Sequence, residues 1–149
     1  MRIREADKSV GTKAPIEICI NSNGGSVPDG LSLISLIESM KDEGYEITTT
    51  NMGYAYSMGF LISIVGTHRH AYRYADYLWH DISSISAGKT ESMLEDIESL
   101  KKLRSVVNGI VKKYTKLTDE DLNDIYIHRL NKTYSVDEAK ELKICDEVV

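Results

Sequence analysis

Apolar positions recur along the chain with two periods, and the changes between them mark out its elements. Pro15 to Ile20 alternates and is rich in β-branched residues, so it predicts a strand that ends in the polar and glycine turn Asn21-Ser22-Asn23-Gly24-Gly25. From Val27 the spacing widens: Val27, Leu31, Leu33, Ile34, Leu36, Ile37 and Met40 form the apolar face of a helix reaching Lys41, with Pro28 in its first turn. A second strand is predicted over Tyr45–Thr50, then a tight turn over Met52–Gly59, then an apolar run Phe60–Val65 closed by Gly66. Strand, glycine turn and helix thus occur twice in succession. Thr67–Tyr74 alternates again, and Tyr77–His80 predicts another strand, followed by a Ser/Gly-rich loop from Ile82 to Gly88. Between Lys89 and Tyr114 apolar residues return at steps of three and four, which predicts one long amphipathic helix. Thr118-Asp119-Glu120-Asp121 opens a shorter helix through Arg129. Ser135 with Glu138 is a capping box for a last helix, Val136–Leu142, ahead of a terminal strand over Ile144–Val149. Met1–Lys8 is compatible with the end of a helix, and Gly11–Lys13 with a loop.

Composition narrows the classes of function. A length of 149 residues fits one domain with a proper core. With 18 basic against 23 acidic residues the net charge is −5, and no basic stripe is interleaved with aromatics, so nucleic acid is not an expected partner. No apolar run approaches the roughly 18 residues of a spanning helix, and Met1-Arg2-Ile3-Arg4-Glu5 has no signal-peptide core, so no membrane partner and a cytoplasmic location are expected. Cys19 and Cys145 lie far apart in apolar strand contexts without metal-ligand spacing, which reads as two buried, reduced thiols. No metal or cofactor is expected.

The candidate chemistry centres on Ser57, in the sequence Gly53-Tyr54-Ala55-Tyr56-Ser57-Met58-Gly59. A serine at the first turn of a buried helix stands among backbone N–H groups that have no intrahelical partner and can stabilise an oxyanion. Serine is equally a preferred helix N-cap, and on this stretch alone the cap is the favoured reading. A nucleophilic hydroxyl needs a base to take its proton. Of the four histidines, His68 and His70 flank Arg69 on an alternating, solvated strand and His128 lies on a polar helix. His80 follows the apolar Tyr77-Leu78-Trp79 at a strand end, where spacing alone supports a structural role as well as a catalytic one.

The order of these motifs resembles the ClpP family, the proteolytic subunit of the Clp protease. The family's I-N-S-P-G-G turn is similar to Ile20-Asn21-Ser22-Asn23-Gly24-Gly25, with Asn23 in place of the proline. Its G-x-A-A-S-M-G is similar to Gly53–Gly59, its M-I-H-Q-P to Leu78-Trp79-His80-Asp81-Ile82, and its S-x-x-E-A followed by G-L-[IV]-D to Ser135–Ala139 and Lys143–Asp146. The resemblance implies a single α/β domain of the ClpP/crotonase type over residues 1–149, with stacked strand-turn-helix units and the long helix as a protruding handle. It implies a serine peptidase acting on peptides or unfolded proteins within a homo-oligomer of stacked rings, and an ATP-dependent unfoldase as a possible partner. Ser57 would be the nucleophile and His80 the general base, with the backbone N–H groups of Gly25 and Met58 as oxyanion donors. The family's third residue, an Asp four positions before its S-x-x-E-A serine, corresponds to Asn131. An amide carbonyl can hold the imidazole but cannot stabilise its cation by charge. Asn131 also reads as a helix or turn cap, and Asp124 is the nearest carboxylate in the same segment. Family members carry further strand, helix and axial-loop residues upstream of the first motif, so the N-terminal part of the family domain is expected to be absent. Two rival functions follow: a catalytically weak structural ring subunit, and a crotonase-type acyl-CoA enzyme on the same fold.

Overall fold

The computed structural model describes residues 7, 11–82 and 90–149. The helix end expected over Met1–Lys8 and the loop expected over Ile82–Gly88 fall almost wholly outside the described residues. The chain is a mixed α/β structure: strands β1 (Ile16–Ser22), β2 (Ile47–Tyr56), β3 (His68–Ala71), β4 (Asp76–Trp79), β5 (Lys132–Ser135) and β6 (Glu147–Val148) form one sheet. Its helices are α1 (Val27–Asp42), α2 (Met58–Ile64), α3 (Thr90–Tyr114), α4 (Asp119–His128) and α5 (Val136–Glu141).

β2 is the centre of the sheet. It takes β1 in parallel on one side, and on the other β3 along its first half and β4 along its second. β6 extends the sheet beside β3, and β5 runs antiparallel to β4. β2 is longer than its β-branched stretch predicts, because Gly53 makes a bulge rather than a turn. Ile20 pairs with Asn51 but Ser22 with Ala55, so β2 spends two extra residues there. The bulged residues are bound by side chains: Asn51 Oδ1 accepts from the Gly53 N–H at 3.2 Å, and Asn21 Oδ1 accepts from the Tyr54 N–H at 3.3 Å. A Cβ on Gly53 would stand 2.8 Å from Asn21 Oδ1, which is why the position has none. The strand therefore runs on to Tyr56, and the chain turns only at Ser57.

Three other expectations change. Thr67–Tyr74 is strand only to Ala71, because the Ala75 N–H donates to Tyr72 O at 2.8 Å and closes a turn. The terminal strand shrinks to β6, since Lys143 takes a positive φ of 56° and breaks the run. β5, which the sequence did not announce, pairs with β4. Cys19 is exposed rather than buried, because alternation on β1 puts it on the same face as Glu17; Cys145 is buried as expected.

The core forms around α2, whose Phe60, Leu61 and Ile64 are fully buried. Phe60 stacks on Trp79 and Tyr134 and meets Tyr77 edge-on, which ties α2 to β4 and β5. α1 packs through Gly30, Ile34, Ile37 and Met40. The capping boxes at Thr118/Asp121 and Ser135/Glu138 are both formed. α3 buries Val107 and Val111 near its C-terminal end but leaves Leu94, Ile97 and Val106 about half exposed. Among the described residues no helix is long and apolar enough to cross a membrane.

Candidate active site

Ser57 occupies the single step between β2 and α2 with φ 53° and ψ −117°, a backbone conformation that a residue with a Cβ rarely adopts. Although it stands at the N-cap position, its hydroxyl makes no cap hydrogen bond. The cap reading therefore fails, and the strained turn orients the hydroxyl elsewhere. Main-chain bonds hold the strain: the Ser57 N–H donates to Leu78 O at 2.9 Å, and Ser57 O accepts from the Leu61 N–H at 3.2 Å.

Close packing of glycines surrounds this turn. Gly24 has φ +112°, and a Cβ there would lie 2.7 Å from Ser57 Cβ and 3.2 Å from Ser57 Oγ. Gly59 lets the start of α2 approach Ser22 O, since its Cβ would be 3.1 Å away. Gly25 faces open space instead, with nothing within 4 Å of a Cβ position. Of the paired glycines, the first permits contact with the serine and the second leaves its backbone accessible.

Gly25, Ser57, Met58 and His80 line one cleft of about 60 Å³, together with Val27, Leu61, Trp79, Asp81, Ile82 and Val107. That volume admits a few waters or a reacting carbonyl group. Larger hollows elsewhere on the surface lack the serine and His80. Met58, as the first residue of α2, has an N–H without an acceptor four residues back. His80 follows β4 directly, and its Nδ1 lies 2.5 Å from Asp81 O. A carbonyl only accepts, so Nδ1 carries the proton and the neutral ring keeps its lone pair on Nε2. Among the described residues there is no hydrogen bond between the His80 ring and Ser57 Oγ. Such pairs are often loose before substrate binds.

The other histidines belong to the exterior. His68 lies 3.2 Å from Glu46, His70 3.9 Å from Glu147, and His128 3.3 Å from Asp124. Asp124 is thus engaged with His128 and stands apart from the cleft. Asn131 is exposed, does not line the cleft, and makes no side-chain hydrogen bond among the described residues. Nor does it cap a helix: Arg129, in the left-handed conformation, ends α4, and Ser135 opens α5. Its relation to His80 is one of register. The β4–β5 ladder pairs Leu78 with Thr133 and ends at Trp79 with Lys132, and His80 and Asn131 are the residues that flank this last pair.

A family model described as Clp protease matches residues 7–149. The chain belongs to the Clp protease family. It is 31% identical over 137 residues to the ATP-dependent Clp protease proteolytic subunit 2 of Frankia casuarinae, a match covering 90% of this chain and 60% of that protein. To proteolytic subunit 1 of Streptomyces avermitilis it is 27% identical over 140 residues, 93% of this chain and 62% of the relative. The ATP-dependent Clp protease proteolytic subunit of Leuconostoc citreum is 36% identical over 114 residues, 74% of this chain and 54% of the relative. The chain therefore spans somewhat over half the length of these Clp protease relatives.

Sequence reasoning missed two groups that hold β4 and the residues after it. Asp81 binds Arg104 of α3 through both carboxylate oxygens, with Nε to Oδ1 at 2.9 Å and Nη2 on Oδ2. Asn51, fully buried on β2, donates through Nδ2 to Asp76 O at 2.9 Å and so ties the start of β4 to the bulge it also supports. An aspartate directly after the candidate base was a visible signal for the first; nothing in the pattern marked Arg104, which sits at an ordinary polar helix position.

Proposed function

We propose that the protein is a serine peptidase of the Clp proteolytic-subunit type. Ser57 Oγ attacks the scissile carbonyl carbon while its proton passes to His80 Nε2. The tetrahedral oxyanion is received by the Gly25 and Met58 N–H groups. The leaving amine takes the proton from Nε2, and water then releases the acyl-enzyme by the same route. The observation that carries this reading is the strained, uncapped Ser57 turn sharing one cleft with Gly25, Met58 and His80. The family membership supports it.

In this reading Asn131 takes the third position of the family motif, beside the end of the β4–β5 ladder that His80 follows, so an amide replaces the carboxylate there. Peptides and unfolded chains are the proposed substrates, and stacked rings of identical subunits the proposed assembly. The half-exposed Leu94 and Ile97, neighbours one turn apart on α3, offer an apolar patch for such a partner copy. All three of these relatives carry "ATP-dependent" in names for proteolytic subunits, which favours an ATP-driven unfoldase as partner.

Cleavage of a short fluorogenic peptide by the assembled protein tests the assignment. Wild type is expected to turn over and Ser57→Ala to be reduced to background; equal rates in the two would remove Ser57 from the mechanism.

A further inference from the structure

We propose that the main-chain carbonyl of Asp81 orients the His80 imidazole, that the Asp81–Arg104 ion pair holds this carbonyl in place, and that Asn131 is dispensable. The inference rests on the peptidase reading above and concerns how its base is positioned.

A general base for Ser57 needs its lone pair on Nε2, so something must keep the proton on Nδ1 and fix the plane of the ring. The only hydrogen bond of the His80 ring among the described residues is the one from Nδ1 to Asp81 O, at 2.5 Å. A carbonyl of the following residue meets that ring only in a narrow range of backbone angles, so Asp81 and its peptide to Ile82 have to be anchored. Its side chain does this. Asp81 Oδ1 accepts from the Ile82 N–H at 2.8 Å and from Arg104 Nε at 2.9 Å, while Oδ2 takes Arg104 Nη2. Two parallel bonds from a planar fork fix direction as well as distance.

Arg104 is restrained in turn. Its guanidinium lies 4.6 Å above the centre of the Tyr126 ring on α4, and the Tyr126 hydroxyl donates to Asn108 Oδ1, one turn beyond Arg104 on α3. Two helices therefore grip the cation that grips Asp81. Asn131, by contrast, is exposed and unbonded among the described residues. During turnover the proton of Ser57 goes to Nε2 and on to the leaving nitrogen, while the other ring proton stays on Nδ1, donated in a hydrogen bond to Asp81 O throughout. Asp81 and Arg104 are positioning residues in this account, and neither touches the substrate.

Five variants test it on the assembled protein: Ser57→Ala, Arg104→Met, Arg104→Lys, Asp81→Asn and Asn131→Ala, each checked for native size and melting temperature. Arg104→Met is expected to lower kcat for a short peptide by roughly 100-fold with KM little changed, the scale of a misplaced reacting group. Arg104→Lys keeps the charge without the fork and recovers part of the loss. Asn131→Ala is expected to retain near wild-type kcat. The pH profile gives a signature that a merely structural role would not. Asp81 is the only charged residue lining the cleft among those described, and Arg104 neutralises it. Removing Arg104 leaves a bare carboxylate that raises the apparent pKa of the base in kcat/KM; Asp81→Asn leaves a bare cation that lowers it. Unchanged kcat in Arg104→Met, or a loss in Asn131→Ala as large as that in Arg104→Met, would overturn the proposal. Should Arg104→Met fail to assemble, unchanged kcat in both Arg104→Lys and Asp81→Asn would overturn it. Full activity in Ser57→Ala would instead defeat the peptidase reading beneath it.

Discussion

Ser57 keeps a side chain where the backbone favours glycine, at a cost of about 1–3 kcal/mol. That cost yields a prediction independent of activity. Ser57→Ala and Ser57→Gly both delete the hydroxyl, but only glycine relieves the positive φ, so Ser57→Gly is expected to be the more stable by about 1 kcal/mol in thermal or denaturant unfolding. Gly24 makes the complementary case. With φ +112° and a Cβ that would fall 2.7 Å from Ser57 Cβ, its replacement by alanine is expected to lower the melting temperature and displace the serine, whereas Gly25→Ala, facing open space, leaves the melting temperature near wild type. The sequence announced a glycine pair beside a serine, but which glycine is conformationally obligate depends on the approach of two segments more than 30 positions apart, and only the fold reveals it. The hydroxyl's freedom from capping was hidden for the same reason: cap and nucleophile share one local sequence.

At the scale of elements, periodicity located both long helices and five of the six strands, because each buries a regular stripe, and a capping box marked the start of the last helix. Two errors had local causes. Gly53 signalled a turn by composition, yet neighbouring Asn21 and Asn51 supply the hydrogen bonds that turn it into a bulge inside β2. β5 is four residues with only Tyr134 buried, so it carries no alternating signature and exists through its pairing with β4. The C-terminal segment depends on one cation. Arg69 donates to Tyr114 O at 2.7 Å, Lys143 O at 2.6 Å and Asp146 Oδ2 at 2.9 Å, joining β3 to α3 and to the turn before β6. Arg69→Met is therefore expected to destabilise the fold by about 2 kcal/mol, measured by chemical unfolding. Burial of the Asp146 carboxyl pushes its pKa up, but the Arg69 guanidinium outweighs this and holds it below its ordinary 3.8. A carboxylate depressed in the folded state contributes stability above its unfolded pKa, which is lost as pH falls through the folded value. Wild type is expected to lose stability more steeply than Asp146→Asn as the pH drops below 3.8.

For the whole molecule, membership of the Clp protease family was legible from four short motifs in order, each weak alone. The assembly was not, since a partner copy leaves no periodic trace beyond the apolar patch of Leu94 and Ile97 on α3. If that patch joins subunits, Ile97→Glu is expected to reduce the mass measured by sedimentation velocity while the far-ultraviolet spectrum stays unchanged. The central claim is that Ser57 is an activated nucleophile in the assembled protein. Its most direct test is treatment with a fluorophosphonate, followed by mass spectrometry of the labelled peptide. The account predicts one adduct per chain, on Ser57, absent from Ser57→Ala and slowed in Arg104→Met. An assembled, folded protein that takes no label at Ser57 would contradict it.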